Sequence, residues 1–343
     1  MRIHTKLLAA AGLGTLMAVP FEAALAQVDE LIVTARKREE SILDTPVAVS
    51  AYGQDSLNQL NVTNVDELAR FVPGLIFEKS FGRTADRPVI RGAATVGTPD
   101  FGVESGVSIF VDNVYFNDDV SGFGFFDLER IEVVRGPQSA LYGRNTYSGA
   151  INLISRQPNL EEFEGSAQFR GAEQDEYEGN IWVTGPIVPG RLGVLVAGRY
   201  YEYGGFFKDS ITGQDIGEEK TEAFKVRVRL DLDSFRAQAG INYAFDEDGV
   251  RPIKMLYENN CEPGARGEFG PGTDQYYCGN LFEPSFAAYD PTVLGDDGVD
   301  RQTWFYTLNM EWDLPGGYTI VSNTGLRDTG TGTLADVNNG IRA

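Results

Sequence analysis

The stretch that decides the fold runs from Asp127 to Asn145 and reads DLERIEVVRGPQSALYGRN. Its first part is rich in β-branched and apolar residues and ends at Gly136-Pro137, which predicts a strand closed by a turn. Ser139–Gly143 has the length of a single helical turn. A second strand, GAINLIS, follows at residues 149–155. This succession of short strands, a turn and a helical turn predicts a mixed α/β domain.

The residues before this stretch extend the same pattern. Two more buried strands are expected, VIRG at residues 89–92 and GVSIFVDNV at residues 106–114. Within the second, Asp112-Asn113 has the composition of a hairpin turn. A helix is expected over residues 64–72, because Asn64 can cap its start and a Pro-Gly pair follows its end.

The stretch 127–145 closely resembles the plug signature of TonB-dependent outer-membrane receptors. RPVIRG at residues 87–92, VSIFVD at residues 107–112 and ELIVTA at residues 30–35 resemble three further segments of that family. All four occur in the order that the family shows. The resemblance implies a plug domain over residues 41–158, which would fill the lumen of a transmembrane β-barrel.

The N-terminal segment, residues 27–40, carries a short apolar patch formed by Glu30, Leu31, Ile32, Val33, Thr34 and Ala35. From these residues alone, a frayed terminal strand and a strand that adds to another protein's sheet edge are equally good interpretations. The family resemblance favours the second, since these six residues resemble the TonB box. It implies the periplasmic domain of TonB as the partner.

Composition and an export signal exclude several classes of protein. The chain has 343 residues and a formal net charge of −21, which argues against a nucleic-acid partner. Residues 1–26 have a positive start, an apolar run and Ala24-Leu25-Ala26, which predicts a cleaved secretory signal. The one histidine, His4, lies inside that signal. We therefore expect no catalytic residue, no metal site, no cofactor and no enzymatic function.

An exported glycosidase with a carboxylate pair is the alternative from another class of protein. Acidic residues are plentiful, with 50 Asp and Glu in the chain. A retaining or inverting mechanism needs two of these carboxylates held at a fixed separation. No motif brings two of them together, and the alternative would leave the plug signature unexplained.

The second half of the chain consists of segments of about ten residues with alternating polarity, as in transmembrane strands. In FKVRVRL, residues 224–230, one face is apolar and the other is cationic. The apolar face suits lipid and the polar face suits a barrel lumen, although a soluble β-sandwich also alternates. Aromatic residues at strand ends favour the membrane. The predicted strands cover residues 165–171, 178–187, 192–203, 222–232, 235–245, 303–313 and 318–327.

The expected fold is thus a mixed α/β plug followed by antiparallel transmembrane β-barrel strands over residues 159–343. The apolar face would contact lipid of the outer membrane of a Gram-negative bacterium. Seven strands cannot enclose a plug, because barrels with a plugged lumen have about 22. We therefore expect an incomplete barrel and a chain that is a fragment of a longer receptor.

The connections between the predicted strands alternate between tight turns and long segments. In outer-membrane barrels, the tight turns are periplasmic and the long loops are extracellular. The longest segment, residues 246–302, contains Cys261 and Cys278. An exported protein with two cysteines is expected to pair them, and closing this loop would be worth about 3 kcal/mol.

The resemblance also implies roles for individual residues. Arg91 and Arg135 would pair with glutamates of the barrel wall, in strands absent from this sequence, and a salt bridge within the plug is the alternative. Phe81, Arg83 and Phe101 are the expected ligand contacts in plug loops. The implied function is uptake of a scarce nutrient, such as an iron–siderophore complex or another metal chelate, with TonB pulling on the box to open the plug. The alternative is a truncated plug module that only binds ligand.

Overall fold

The computed structural model describes most of the chain between residues 32 and 334. The described residues are 32–34, 40–79, 83, 86–93, 106–116, 120–208, 215–249 and 298–334. Predicted features that fall outside them are the signal segment 1–26, Glu30, Leu31, Ala35, Phe81, Phe101, Cys261 and Cys278.

The first half of the chain combines short helices with short strands. Its helices are α1 (Gln54–Gln59), α2 (Val65–Ala69) and α3 (Ser139–Tyr142). Its strands are β1 (Ile32–Val33), β2 (Glu40–Ser41), β3 (Ala48–Gly53), β4 (Leu75–Lys79), β5 (Asp86–Ile90), β6 (Val107–Val111), β7 (Val114–Phe116), β8 (Leu128–Arg135) and β9 (Gly149–Ser155).

The predicted start of α2 is confirmed by its cap. Asn64 Oδ1 accepts a hydrogen bond from the Glu67 amide at 3.0 Å, and the Glu67 carboxylate accepts one from the Thr63 amide at 2.7 Å. The helix ends at Ala69 and not at residue 72. The amides of Arg70 and Phe71 bond to carbonyls three residues back, which closes the helix with a tighter turn.

Five strands form the plug sheet, in the order β3-β8-β9-β6-β7. β8 pairs antiparallel with β3 and β9, and β9 pairs parallel with β6. The predicted hairpin turn joins β6 to β7, and Asp112 and Asn113 adopt φ angles of 51° and 66° there. Two positive φ angles in succession are the geometry of a two-residue hairpin turn, so the prediction is confirmed.

In its described residues, the second half of the chain contains seven long strands and one short hairpin. The strands are β10 (Glu164–Ala172), β11 (Glu176–Val188), β12 (Leu192–Tyr203), β13 (Phe207–Lys208), β14 (Asp215–Ile216), β15 (Glu219–Leu232), β16 (Phe235–Asp248), β17 (Gly298–Leu314) and β18 (Tyr318–Leu334).

The wall sheet comprises the seven long strands, in the order β10-β11-β12-β15-β16-β17-β18. Every neighbouring pair is antiparallel, and β13 pairs with β14 apart from this sheet. The seven predicted strands are confirmed. β17 begins at Gly298 and β18 ends at Leu334, beyond the predicted bounds. Those extra residues are mostly polar or glycine, so apolar alternation does not mark them.

The wall sheet has two chemically different faces, as the alternation predicts. On β15, Phe224 and Val228 are 40% and 37% exposed, whereas Lys225 and Arg227 between them are 2% and 1% exposed. The cationic face therefore lies against the plug. No helix in the described part of the chain is long and apolar enough to cross a membrane. The described residues thus form the predicted mixed α/β domain followed by antiparallel strands in an open sheet.

Candidate functional site

The plug is joined to the wall sheet by a cluster of buried charges, here called the wall anchor: Asp127, Lys225 and Arg227. Asp127 directly precedes β8 and is fully buried. Its two carboxylate oxygens accept hydrogen bonds from Lys225 Nζ at 2.5 Å and from Arg227 Nη1 at 2.6 Å. One plug carboxylate thus binds two cations that stand two positions apart on β15.

Neighbouring polar groups complete the wall anchor. Arg227 Nη2 donates to Ser155 Oγ at 2.7 Å, and its Nε lies 3.9 Å from a carboxylate oxygen of Asp112. Lys225 Nζ lies 4.7 Å from the ring centre of Phe126, a cation–π distance. Burial raises the pKa of Asp127, and the two nearby cations, Lys225 and Arg227, lower it. The effect of the cations is the larger one, so the pKa of Asp127 lies below its ordinary value.

A second cluster joins the plug to the end of the wall from which the long connections leave. Arg83 is 5% exposed and donates to Asp248 through Nε at 3.1 Å and also through Nη2. Its Nη1 donates to Thr221 Oγ1 at 2.8 Å. Arg301, on the wall strand β17, also contacts this cluster. Its Nη1 donates to the Arg83 carbonyl at 2.6 Å, and its Nη2 donates to Asp246 Oδ2 at 2.6 Å.

A glycine-containing turn of the plug lies close to the wall between these two clusters. Arg199 on β12 donates through Nη1 to the Ser121 carbonyl at 3.2 Å and through Nε to Glu178 at 2.8 Å. A Cβ atom at Gly122 would stand 2.8 Å from an Asp246 carboxylate oxygen, and one at Gly124 would stand 2.8 Å from Arg199. A larger residue at Gly122 or Gly124 would therefore force the turn or these wall side chains to shift.

The described part of the N-terminal segment packs on the plug. Val33 is 1% exposed and lies in a small apolar cluster with Val134 of β8. Thr34 donates its amide hydrogen to Glu132 Oε1 at 2.8 Å. Ile32 is 40% exposed. Residues 32–34 are thus held by the burial of Val33, by the bonds from Thr34 to Glu132 and by the two-pair ladder between β1 and β2, and their role as a TonB box stays a prediction.

The arginines expected to pair with wall glutamates lie on one side of the plug. Arg91 is exposed and adopts a positive φ of 55°. Arg135, at the end of β8, donates weakly to the Pro73 carbonyl at 3.4 Å. Among the described residues neither arginine forms an ion pair with a carboxylate, so the alternative of a salt bridge within the plug gains no support there. Pairing with wall glutamates stays a prediction.

Arg83 lies where a ligand loop was expected, at the long-connection end of the wall, but its guanidinium already has protein partners. Asp248, Thr221 and the Lys220 carbonyl accept its hydrogen bonds. The structure therefore shows Arg83 as a contact between plug and wall. Its predicted contact with ligand is untested, and such a contact would have to share these donors.

The sequence reasoning missed the wall anchor, although part of its signal was visible. Lys225 and Arg227 were recognised as a cationic lumen face, and Asp127 was the first residue of the plug signature. Nothing in the sequence connects them, since 98 residues separate Asp127 from Lys225. The signal that could have led to the pair is a cationic strand face that needs a buried counter-charge.

Comparison with known proteins agrees with this architecture. Residues 41–150 match the family model described as the TonB-dependent receptor plug domain. The chain is 28% identical over 340 residues to the pesticin receptor of Yersinia pestis, covering 94% of this chain and 48% of that protein. It is 29% identical over 224 residues to the vitamin B12 transporter BtuB of Vibrio vulnificus, covering 63% and 35% respectively. The chain thus spans about half the length, or less, of these curated relatives.

Solved structures show the same fold. The ferric yersiniabactin uptake receptor FyuA of Yersinia pestis aligns with a TM-score of 0.66 at 19% identity, over 83% of this chain and 41% of that one. The siderophore receptor PiuA of Acinetobacter baumannii aligns with a TM-score of 0.66 at 19% identity, over 89% and 39%. Residues 41–150 thus form the plug domain of the TonB-dependent receptor family, and the chain as a whole resembles receptors of that family in sequence and in fold.

Proposed function

We propose that this chain is the N-terminal part of a receptor that takes up a scarce nutrient across the outer membrane. The nutrient class is an iron–siderophore complex or a similar metal chelate. TonB would pair with residues 30–35 and pull, and the plug would move to let the nutrient pass. The related proteins include siderophore receptors and a vitamin B12 transporter, which supports this class of ligand.

The observation that carries the proposal is the polar seating of the plug on the wall sheet. The wall anchor and the Arg83 cluster are ion pairs and hydrogen bonds. The apolar contacts with the wall are small: Ala223, Ala244 and Phe305 join the main apolar cluster of the plug, and Leu195 and Ala197 pack with Phe126 in a second one. Water can replace polar partners at small net cost, whereas exposing a large apolar interface costs free energy in proportion to its area. This interface suits a plug that moves and returns.

The test is nutrient uptake by cells that express the complete reading frame from its own locus. Purified radioiron complexes of one hydroxamate, one catecholate and one carboxylate siderophore serve as probes, with radiolabelled cobalamin as a fourth. We expect energised uptake of at least one probe, and its loss when residues 30–35 are deleted. The control is a deletion of six residues from the segment 251–297 that leaves surface expression unchanged.

Two results would contradict the proposal. Uptake that continues without residues 30–35 would show that TonB does not act through this segment. Binding of a probe without any uptake would instead support the plug module that binds ligand and does not transport it. Quantifying the receptor in isolated outer membranes separates either result from a failure of assembly.

A further inference from the structure

Glu132 of β8 holds the N-terminal segment on the plug. It accepts the Thr34 amide at 2.8 Å, and the Thr34 hydroxyl lies 3.2 Å from each of its two carboxylate oxygens. Glu132 is fully buried and also accepts from Arg130 Nε at 2.8 Å. A buried carboxylate with charge-assisted hydrogen bonds gives a defined contact at a single residue of the segment.

The backbone path from Thr34 to the plug sheet is much longer than this direct contact. β3, the first strand of the plug sheet, begins at Ala48, which is fourteen residues along the chain. A chain of that length can extend to about 46–50 Å. A pull applied before Thr34 acts first on the Thr34–Glu132 contact, on the buried Val33 side chain and on the two-pair ladder between β1 and β2. It does not yet act on β3.

β3 resists a pull better than the Thr34 contact does. It pairs with β8 over six residue pairs, from Ala48 opposite Arg135 to Gly53 opposite Arg130. The wall anchor holds Asp127 at the other end of β8. The pull reaches the β3–β8 pair at Ala48, and the wall anchor fixes the pair at Asp127. These two points lie at opposite ends of the antiparallel pair. The ladder hydrogen bonds then share the load instead of breaking one after another.

We propose that Glu132 is a positioning residue that makes the response to pulling occur in two stages. The Thr34–Glu132 contact, here called the latch, breaks first and at short extension. Only after the released chain tightens does the load reach β3 and, through β8, the wall anchor. The inference rests on the proposed function, because TonB is the partner that would apply the pull.

The experiment is single-molecule pulling on the full-length receptor reconstituted in a lipid bilayer. A handle attached enzymatically before residue 30 applies the load without using TonB or the cysteines. The variants are Thr34→Val, which keeps the β-branched shape and removes the hydroxyl, and Glu132→Gln, which keeps the size and removes the charge. The matched control is Thr45→Val, which removes a hydroxyl bonded to the Ser41 carbonyl at 2.9 Å on the chain between Thr34 and β3.

We expect two rupture events in the wild type and in the control. The first event should lose rupture force in both latch variants, less in Thr34→Val because its backbone amide still donates to Glu132, and the second event should keep its force. If the latch variants retain the first event unchanged, the proposal is overturned. The same is true if Thr45→Val weakens that event as much as Thr34→Val does. Should Glu132→Gln fail to assemble, Thr34→Val and its control decide the matter.

A second attachment separates this inference from the proposed function. Here the handle is the purified periplasmic domain of TonB, presented to the same reconstituted receptor. If TonB never attaches while the covalent handle gives two events, the latch stands and the proposed role of residues 30–35 falls. If TonB attaches but the covalent handle gives one event that no latch variant changes, the proposed function stands and the latch falls.

Discussion

Two buried carboxylates near the start and the middle of β8 hold different neighbours by different chemistry. Asp127 binds two cations of the wall, Lys225 and Arg227, and all three side chains are almost completely buried. Glu132 binds the amide and hydroxyl of Thr34, which are neutral donors, and takes its counter-charge from Arg130 on its own strand. Removing the partner of Asp127 leaves buried charges uncompensated, whereas removing that of Glu132 leaves its charge paired.

The difference sets the expected order of strength. Breaking a buried ion pair by removing one partner costs about 3–5 kcal/mol, and losing a typical hydrogen bond costs about 0.5–1.5 kcal/mol. Removing one partner of the wall contact is therefore expected to cost more free energy than removing the Thr34 side-chain contact with Glu132. A receptor built in this way can release its N-terminal segment without unseating its plug.

Asp127→Asn is expected to have the largest effect. The amide cannot neutralise Lys225 and Arg227, so the free energy of unfolding should fall by about 3–5 kcal/mol. Urea unfolding of the purified receptor in detergent measures this, with tryptophan emission as the signal. Trp182 is a suitable reporter, since Arg156 lies 4.3 Å over its ring beside the plug. If the free energy of unfolding falls by less than about 1 kcal/mol, which is the range of exposed ion pairs, the proposed difference between Asp127 and Glu132 is wrong.

Acid should weaken the wall anchor through the same carboxylate. The net pKa of Asp127 in the folded protein lies below its ordinary value of 3.8, because the two cations outweigh burial. A lowered pKa stabilises the protein above the ordinary value, and this contribution is lost as the pH falls through the folded-state pKa. We expect stability to drop steeply below about pH 4 in the wild type. The stability of Asp127→Asn should fall less than that of the wild type over the same acidic range. If the two proteins lose equal stability below about pH 4, the prediction is wrong.

Gly122→Ala is expected to have an intermediate effect. The new methyl group would stand 2.8 Å from the Asp246 carboxylate and 3.1 Å from the Ala244 side chain, so either the turn or this carboxylate, which Thr221 and Arg301 hold, must shift. Overpacking of this kind costs about 1–3 kcal/mol. Growth in the presence of vancomycin measures leakage around an unseated plug, and urea unfolding measures the loss of stability.

The matched control for Gly122→Ala is Gly179→Ala on β11, where a Cβ atom meets no other atom within 4 Å. We expect this variant to behave like the wild type in both assays. Equal sensitivity to vancomycin in the two variants would show that the close approach at Gly122 does not seat the plug.

Thr34→Val is expected to have the smallest effect. It removes one hydroxyl from a partly exposed segment, so the local cost is about 0.5–1.5 kcal/mol and the global midpoint should not change. Hydrogen–deuterium exchange should show faster exchange around residue 34 in this variant, and no change in Thr45→Val. A shifted global midpoint would mean that the segment is part of the cooperative plug, which would erase the contrast with Asp127.

Local sequence rules predicted much of the fold. The cap at Asn64, the hairpin turn at Asp112-Asn113 and the seven wall strands all follow from short-range patterns, and the structure has each of them. Strand ends were less predictable, as at Gly298, because polar residues continue the ladder there. Backbone pairing does not require an apolar face, so alternation underestimates the length of such strands.

The site was predictable only in part, because its contacts are distant in sequence. The sequence places Arg83 in a loop that faces ligand, whereas in the structure it bonds to Asp248, a residue 165 positions further along the chain. The family resemblance drew attention to Arg91 and Arg135, whereas the described ion pairs with the wall use Asp127 and Arg83. A counter-charge can come from any strand that the fold brings near, and sequence spacing does not carry that information.

The most direct test of the central claim is a double-mutant cycle between Asp127 and Arg227. Urea unfolding is measured for the wild type, Asp127→Asn, Arg227→Gln and the double variant. If the plug is held to the wall by this pair, the double variant should lose about 1–3 kcal/mol less stability than the two single losses combined. Losses that add to within about 0.5 kcal/mol would mean that the two residues act independently, and the wall anchor would be refuted.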